Sequence, residues 1–127
     1  MQDKHLFEYA VIRIVPKVER EEFINVGVVL FCKKERYLQT VYTILKEKML
    51  ALSVDIDLEE VEAHLRSFER ICKGSKDSGP IGQLDLPSRF RWLTATRSTV
   101  VQCSKVHPGF CADLNLALQK LHADLVL

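Results

Sequence analysis

Phe7-Glu8-Tyr9-Ala10-Val11-Ile12-Arg13-Ile14-Val15 and, after a charged break, Phe23-Ile24-Asn25-Val26-Gly27-Val28-Val29-Leu30-Phe31-Cys32 are the stretches that decide the fold. In the first, apolar residues occupy both alternating faces: Phe7, Tyr9, Val11 and Val15 on one, Ala10, Ile12 and Ile14 on the other. A strand with two apolar faces is one covered on both sides, so this segment predicts the centre of a sheet. Pro16 ends it, because proline removes a ladder donor. The second stretch is β-branched and apolar throughout and predicts another buried strand, with Gly27 as a bulge or a point of close approach.

Beyond these stretches, Lys33-Lys34-Glu35-Arg36 makes a polar reversal and Tyr37 to Leu45 alternates, so the second strand and this one form a hairpin. Lys46 to Leu52 predicts a short helix. Asp57 opens a stronger one: Glu60 lies three residues on, as in a capping box, and Leu58, Val61, Leu65, Phe68 and Ile71 fall on one face. Glu62 and Arg66 pair at helical spacing, and Gly74 stops the helix. Residues 74–87 hold three of the five glycines and two of the four prolines and predict a flexible loop. Residues 98–104 predict a strand, while residues 89–95 fit either a strand or a helical turn. His107 reads as a loop residue before Pro108, and Asp113 caps a last helix with the stripe Leu114, Ala117, Leu118, Leu121 and Leu125. The fold class is therefore α+β, in one domain spanning 1–127. A mostly antiparallel sheet of four to five strands packs against two main helices, 57–72 and 113–124.

Composition agrees. A chain of 127 residues, 47% hydrophobic and 28% charged, builds a single core. The longest uninterrupted apolar run, Val26 to Cys32, is far short of the roughly 20 residues a spanning helix needs. The amino-terminal residues do not read as an export signal, so the expected compartment is the cytoplasm, with Cys32, Cys72, Cys103 and Cys111 as thiols. A net charge of +1 gives no field for steering onto nucleic acid or a membrane. Charge is segregated along the chain: residues 51–87 carry eight acids and four bases, residues 88–127 five bases and two acids.

The most polar-rich segment, Arg89 to Thr99, gathers three guanidinium groups, four hydroxyls and the only tryptophan. Guanidinium forks bind carboxylate or phosphate bidentately, so Arg89, Arg91 and Arg97, with Ser98, Thr99 and Gln102, form a candidate anion site. The alternative is structural: Phe90, Trp92 and Leu93 are core, and the arginines pair with the acidic helix at 57–72. Trp92 and Phe90 beside arginines also fit base stacking, against which the neutral charge balance argues. Cys103, His107 and Cys111 are spaced as ligands but lack the close Cys-x-x-Cys pairs of structural zinc sites, so no metal is expected and the three are weak candidates only. His107 is the one local base for a Cys103 nucleophile and the weak candidate for a catalytic residue, against which stands a buried thiol in a strand. The acidic run Asp55, Asp57, Glu59, Glu60 and Glu62 is read as a helix start, where carboxylates are favoured. None of the common nucleotide, metalloprotease or hydrolase signatures occurs, and no cofactor is expected.

Tyr9-Ala-Val-Ile-Arg-Ile-Val-Pro16 running into Glu22-Phe-Ile-Asn-Val-Gly-Val-Val-Leu-Phe31, together with Arg89-Phe-Arg-Trp-Leu-Thr-Ala95, Arg97-Ser-Thr-Val-Val-Gln102 and Val106-His-Pro-Gly109, resembles the bacterial domain-of-unknown-function family 3037 over nearly the whole chain. The family name carries no activity. The resemblance implies genes placed beside HipA-like kinases and hence an accessory or regulatory protein partner. The polar positions that match the family pattern without an obvious core role are Arg13, Glu22, Asn25, Arg89, Arg97, Ser98, Gln102 and His107. With the enzyme signatures missing, the leading expectation is a non-catalytic binding or regulatory module that engages another protein. The alternative is a small enzyme or binding protein for a phosphorylated or carboxylated ligand held by Arg89, Arg91 and Arg97. An enzyme needs a concave pocket around the arginines, whereas a module needs an exposed apolar patch.

Overall fold

The structure is a computed structural model that describes residues 4–95 and 99–127. Five strands form one antiparallel sheet: β1 (His5–Ile14), β2 (Ile24–Cys32), β3 (Tyr37–Tyr42), β4 (Val101–Cys103) and β5 (His107–Cys111). The order runs β3-β2-β1, and β4 and β5 share the far side of β1, β4 beside Ile12–Ile14 and β5 beside His5–Tyr9. β1 is thus central, as its two apolar faces require. Two helices pair with these expectations closely: α2 (Leu58–Lys73) and α5 (Leu114–Leu125), each capped by its aspartate, with Asp57 accepting from the Glu60 N–H at 3.2 Å and Asp113 from the Leu116 N–H at 3.1 Å.

The sheet separates two cores. Ala10, Ile12, Ile14, Val29 and Phe31 face α1 (Lys46–Leu52) and α2, whose Val61, Leu65, Phe68 and Ile71 are buried. Apart from Ala10, each such side chain contributes on the order of 1.5–3 kcal/mol of transfer free energy. Phe7, Val28, Leu30 and Cys32 face α5 through Leu114 and Leu118. Gly27 is a close approach: a Cβ there would lie 2.6 Å from the Val41 carbonyl oxygen of β3. The bulge falls one residue earlier, where the register passes from Ile12↔Gly27 to Arg13↔Asn25 and leaves Val26 extra.

Three segments differ from the sequence expectation or resolve it. Residues 74–87, expected as a loop, carry a 3-10 turn at Lys76–Ser78 and a one-turn helix, α3 (Gly79–Gly82). These are held locally: the Ser78 hydroxyl and the Gln83 amide both donate to the Ser75 carbonyl. Residues 89–95 resolve as helix, since α4 (Leu86–Thr94) starts at Asp85, whose carboxylate accepts from the Ser88 N–H at 2.9 Å. The loop expected around His107 is instead strand β5. Its Pro108 and Gly109 suppress any strand signal in the sequence, yet an edge strand tolerates both. Gly109 is required there, because a Cβ would overlap the Phe7 ring.

Between β4 and β5 the ladder on β1 would break at Val11, and a side chain closes it. Ser104 donates its N–H to the Val11 carbonyl at 2.8 Å, and the Ser104 hydroxyl accepts the Val11 N–H at 2.8 Å. Among the described residues no helix is long and apolar enough to cross a membrane.

Candidate functional site

The cluster at 89–99 is dispersed by the helix it forms. Residues 89 and 91 lie two apart on α4, so they point to different sides. Arg89 is 9% exposed and turns inward, and its Nη1 donates to the carbonyls of Ile71 at 3.2 Å and Cys72 at 3.4 Å. It thereby supplies a partner to the Cys72 carbonyl in the last turn of α2 and a second one to that of Ile71, which also accepts the Gly74 N–H at 3.1 Å. The chain leaves room for it with Gly74, which adopts φ 65° and on which any Cβ would overlap Arg89 Nη1. Arg91 points outward to Glu8, Nη1 to Oε2 at 3.1 Å. Neither arginine pairs with the acidic side chains of α2, and the two do not converge. Arg97 and Ser98 lie outside the described residues. Thr99 and Gln102 bond locally, the Thr99 hydroxyl donating to the Val101 carbonyl and Gln102 Nε2 to the Thr99 carbonyl, each at 2.7 Å.

Arg13, Asn25 and Gln102 stand in one cross-strand row over β2, β1 and β4. The Arg13 guanidinium covers Phe23 at 3.9 Å from the ring centre, and its buried Nε has no hydrogen-bond partner among the described residues. Asn25 donates through Nδ2 to the Leu125 carbonyl at 3.1 Å and so ties down the end of α5. Glu22 is exposed and paired with Arg20, a pairing that lowers the Glu22 carboxyl pKa.

Cys103, His107 and Cys111 sit opposite Ile12, Tyr9 and His5, spread over eight residues of β1, whose seven steps span roughly 23 Å at strand spacing. Cys103 and His107 also fall on opposite faces of the sheet, because their β1 partners differ by an odd number. Among the described residues no group of three His, Cys, Asp or Glu side chains is placed to hold a metal ion. Cys103 Sγ donates to the Leu93 carbonyl at 3.4 Å. Burial pushes the Cys72 thiol up to about 12 and that of Cys111 above its ordinary value, which is the behaviour of structural rather than reactive thiols.

A family model described as Protein of unknown function (DUF3037) matches residues 9–126, nearly the whole chain. The chain belongs to this DUF3037 family. No curated protein and no solved structure matches it.

Among the concave regions of the described residues of this DUF3037 chain, two flank α4. One, of about 280 Å³, lies between α2, α4 and β4 and is lined by His64, Phe68, Trp92, Thr99 and Cys103 among others. The other, of about 550 Å³, lies at the open end of the sheet beyond α4 and is lined by Leu6, Glu8, Phe31, Lys33 and Lys34. Phe31 forms its floor, stacked on Phe90 of α4 with ring centres 4.9 Å apart. Beside it stand Leu6, 57% exposed, and Phe110, 70% exposed, which face each other directly across β1 and β5. Their position follows from lengths: α4 reaches Glu8 through Arg91 but leaves the first residues of β1 and the whole of β5 uncovered. Sequence reasoning missed this site because Phe110 sits in a segment read as loop. No local signal marks it, because Pro108 and Gly109 interrupt the alternation that would have shown Phe110 to lie on a strand.

Proposed function

We propose that this DUF3037 protein is a non-catalytic binding module that engages another protein through the open end of its sheet. The observation that carries the reading is the cross-strand pair Leu6 and Phe110, two large apolar side chains left in water beside an apolar depression rimmed by Lys33 and Lys34. Contiguous exposed apolar area rimmed by charge is characteristic of interaction surfaces. The two described arginines of the cluster support the same reading, because Arg89 is committed to α2 and Arg91 to Glu8, so that these two do not converge on an anion.

The partner implied by the family resemblance, a HipA-like kinase, is the first to test for a regulatory complex. Tagged wild-type protein and a Phe110→Asp variant, matched for folding by circular dichroism, are incubated with host lysate and with such a kinase. The expected result is a specific protein retained by wild type and released by the variant. Retention of nothing, or equal retention by both, overturns the reading.

A further inference from the structure

The outer edge of β5 has a defined hydrogen-bonding register. Val11 turns both its main-chain groups toward Ser104, on the β4 and β5 side. By the alternation of an antiparallel ladder, Tyr9, Phe7 and His5 turn theirs the same way, so Tyr9↔His107, Phe7↔Gly109 and His5↔Cys111 are the hydrogen-bonded pairs. The N–H and C=O of Phe110 and the C=O of Pro108 therefore point away from β1. Among the described residues no other strand pairs with this edge.

We infer that a second copy of the chain occupies it, β5 against β5, antiparallel, with a two-fold axis through Phe110. This rests on the reading of the Leu6–Phe110 patch as an interaction surface and assigns the adjoining β5 edge to a second copy of the chain, a use of the surface scored separately from capture of a different protein. A two-fold interface must be complementary to itself, residue by residue. Here Phe110 exchanges both main-chain hydrogen bonds with the partner's Phe110, and the two rings become cross-strand neighbours on one face. Leu6 flanks them on each side, so the exposed apolar row runs Leu6, Phe110, the partner's Phe110, the partner's Leu6 across a continuous sheet. In the same register His107 stands opposite the partner's Asp113, an imidazole beside a carboxylate that also caps α5 through the Leu116 N–H. Asp113 is already extended, with φ −133° and ψ 112°. Lys33 and Lys34 lie at the far side of β1 from the axis, so like charges are not brought face to face. Pro108 lacks an N–H, which removes one bond from the edge without blocking its centre.

The interface is short. A stable standard interface buries about 800 Å² on each partner, more than a five-residue edge and two side chains provide, so the association is reversible and concentration-dependent. Sedimentation equilibrium of the full chain, from low to several hundred micromolar, reads it directly. The expected mass rises from 14.6 kDa toward twice that value. Phe110→Lys, which sets two cations against each other on the axis, holds the mass at that of the monomer, as does Phe110→Pro, which removes the outward N–H while sparing the bonds to β1. His107→Asp, which faces the partner's Asp113 with a like charge, shifts the association to higher concentration. Wild type that stays monomeric throughout, or a dimer indifferent to all three substitutions, overturns the inference. Lysate capture is scored separately: a monomer that still retains a host protein in a Phe110-dependent way leaves the binding-module reading standing, whereas a monomer that retains nothing removes both.

Discussion

Replacing Arg89 by methionine separates a structural guanidinium from a ligand-binding one. In the native chain Arg89 Nη1 makes two hydrogen bonds to the α2 terminus, at 3.2 and 3.4 Å, while Nε is buried without a partner. Hydrogen bonds from charged donors contribute about 1.5–3 kcal/mol each, and these are long, so the lower figure gives about 3 kcal/mol for the two. Removing the unpaired Nε offsets about 1 kcal/mol of that. Methionine fills much of the same volume, which keeps the cavity term small. The net cost is about 2 kcal/mol. At roughly 2.1 cal/mol/K per residue, a chain of 127 residues has an unfolding entropy near 0.27 kcal/mol/K, so the midpoint should fall by about 7 °C. Calorimetry of Arg89→Met beside Arg91→Met supplies the comparison, since Arg91 is exposed and its ion pair with Glu8 is worth little. A shift under about 2 °C for Arg89→Met, the range of an ordinary surface substitution, would refute the capping role and return this arginine to the candidate ligand set.

Ser104→Ala should destabilise by about 1–3 kcal/mol, because the Val11 N–H at the centre of the sheet loses its only acceptor in a buried position. Hydrogen exchange checks it residue by residue: the Val11 amide should lose protection, and a fully protected amide in a stable variant would contradict the account. The Asp85 cap makes stability depend on acid pH. Hydrogen bonding to Ser88 holds the Asp85 carboxyl below its ordinary range, so the folded state binds that proton less readily than the unfolded chain. Its contribution is complete above the usual carboxylate pKa and is lost as pH falls through the lowered folded value. Asp85→Ala should therefore melt below wild type at neutral pH, with the gap closing as the pH falls below the ordinary carboxylate range and through the lowered folded value. A gap that stays constant over that range would place the effect elsewhere.

Much of this molecule was written locally. Two apolar faces on residues 7–15 dictated a central strand, and unbroken β-branched residues after Phe23 dictated its neighbour. Asp57 and Asp113, each preceding an apolar stripe of period 3.6, marked two helices to within a residue. These features need only nearest-neighbour chemistry: strand alternation, helix periodicity and the preference of a carboxylate for free N–H groups. What the sequence left open was decided by contacts distant along the chain. Residues 89–95 could extend or coil until the strand-end surface of Ile12, Phe31 and α2 demanded a helix that buries Phe90 and Leu93. Arg89 looked like a ligand because a guanidinium carries no sign of whether it faces water or the end of another helix 17 residues earlier. His107 to Cys111 became a strand only because β1 offered an unpaired edge, which supplied hydrogen bonds that proline and glycine do not predict. That edge, with Phe110 and Leu6 left in solvent beside it, is a property of how far α4 and α5 reach across the sheet, and no window of neighbouring residues encodes it.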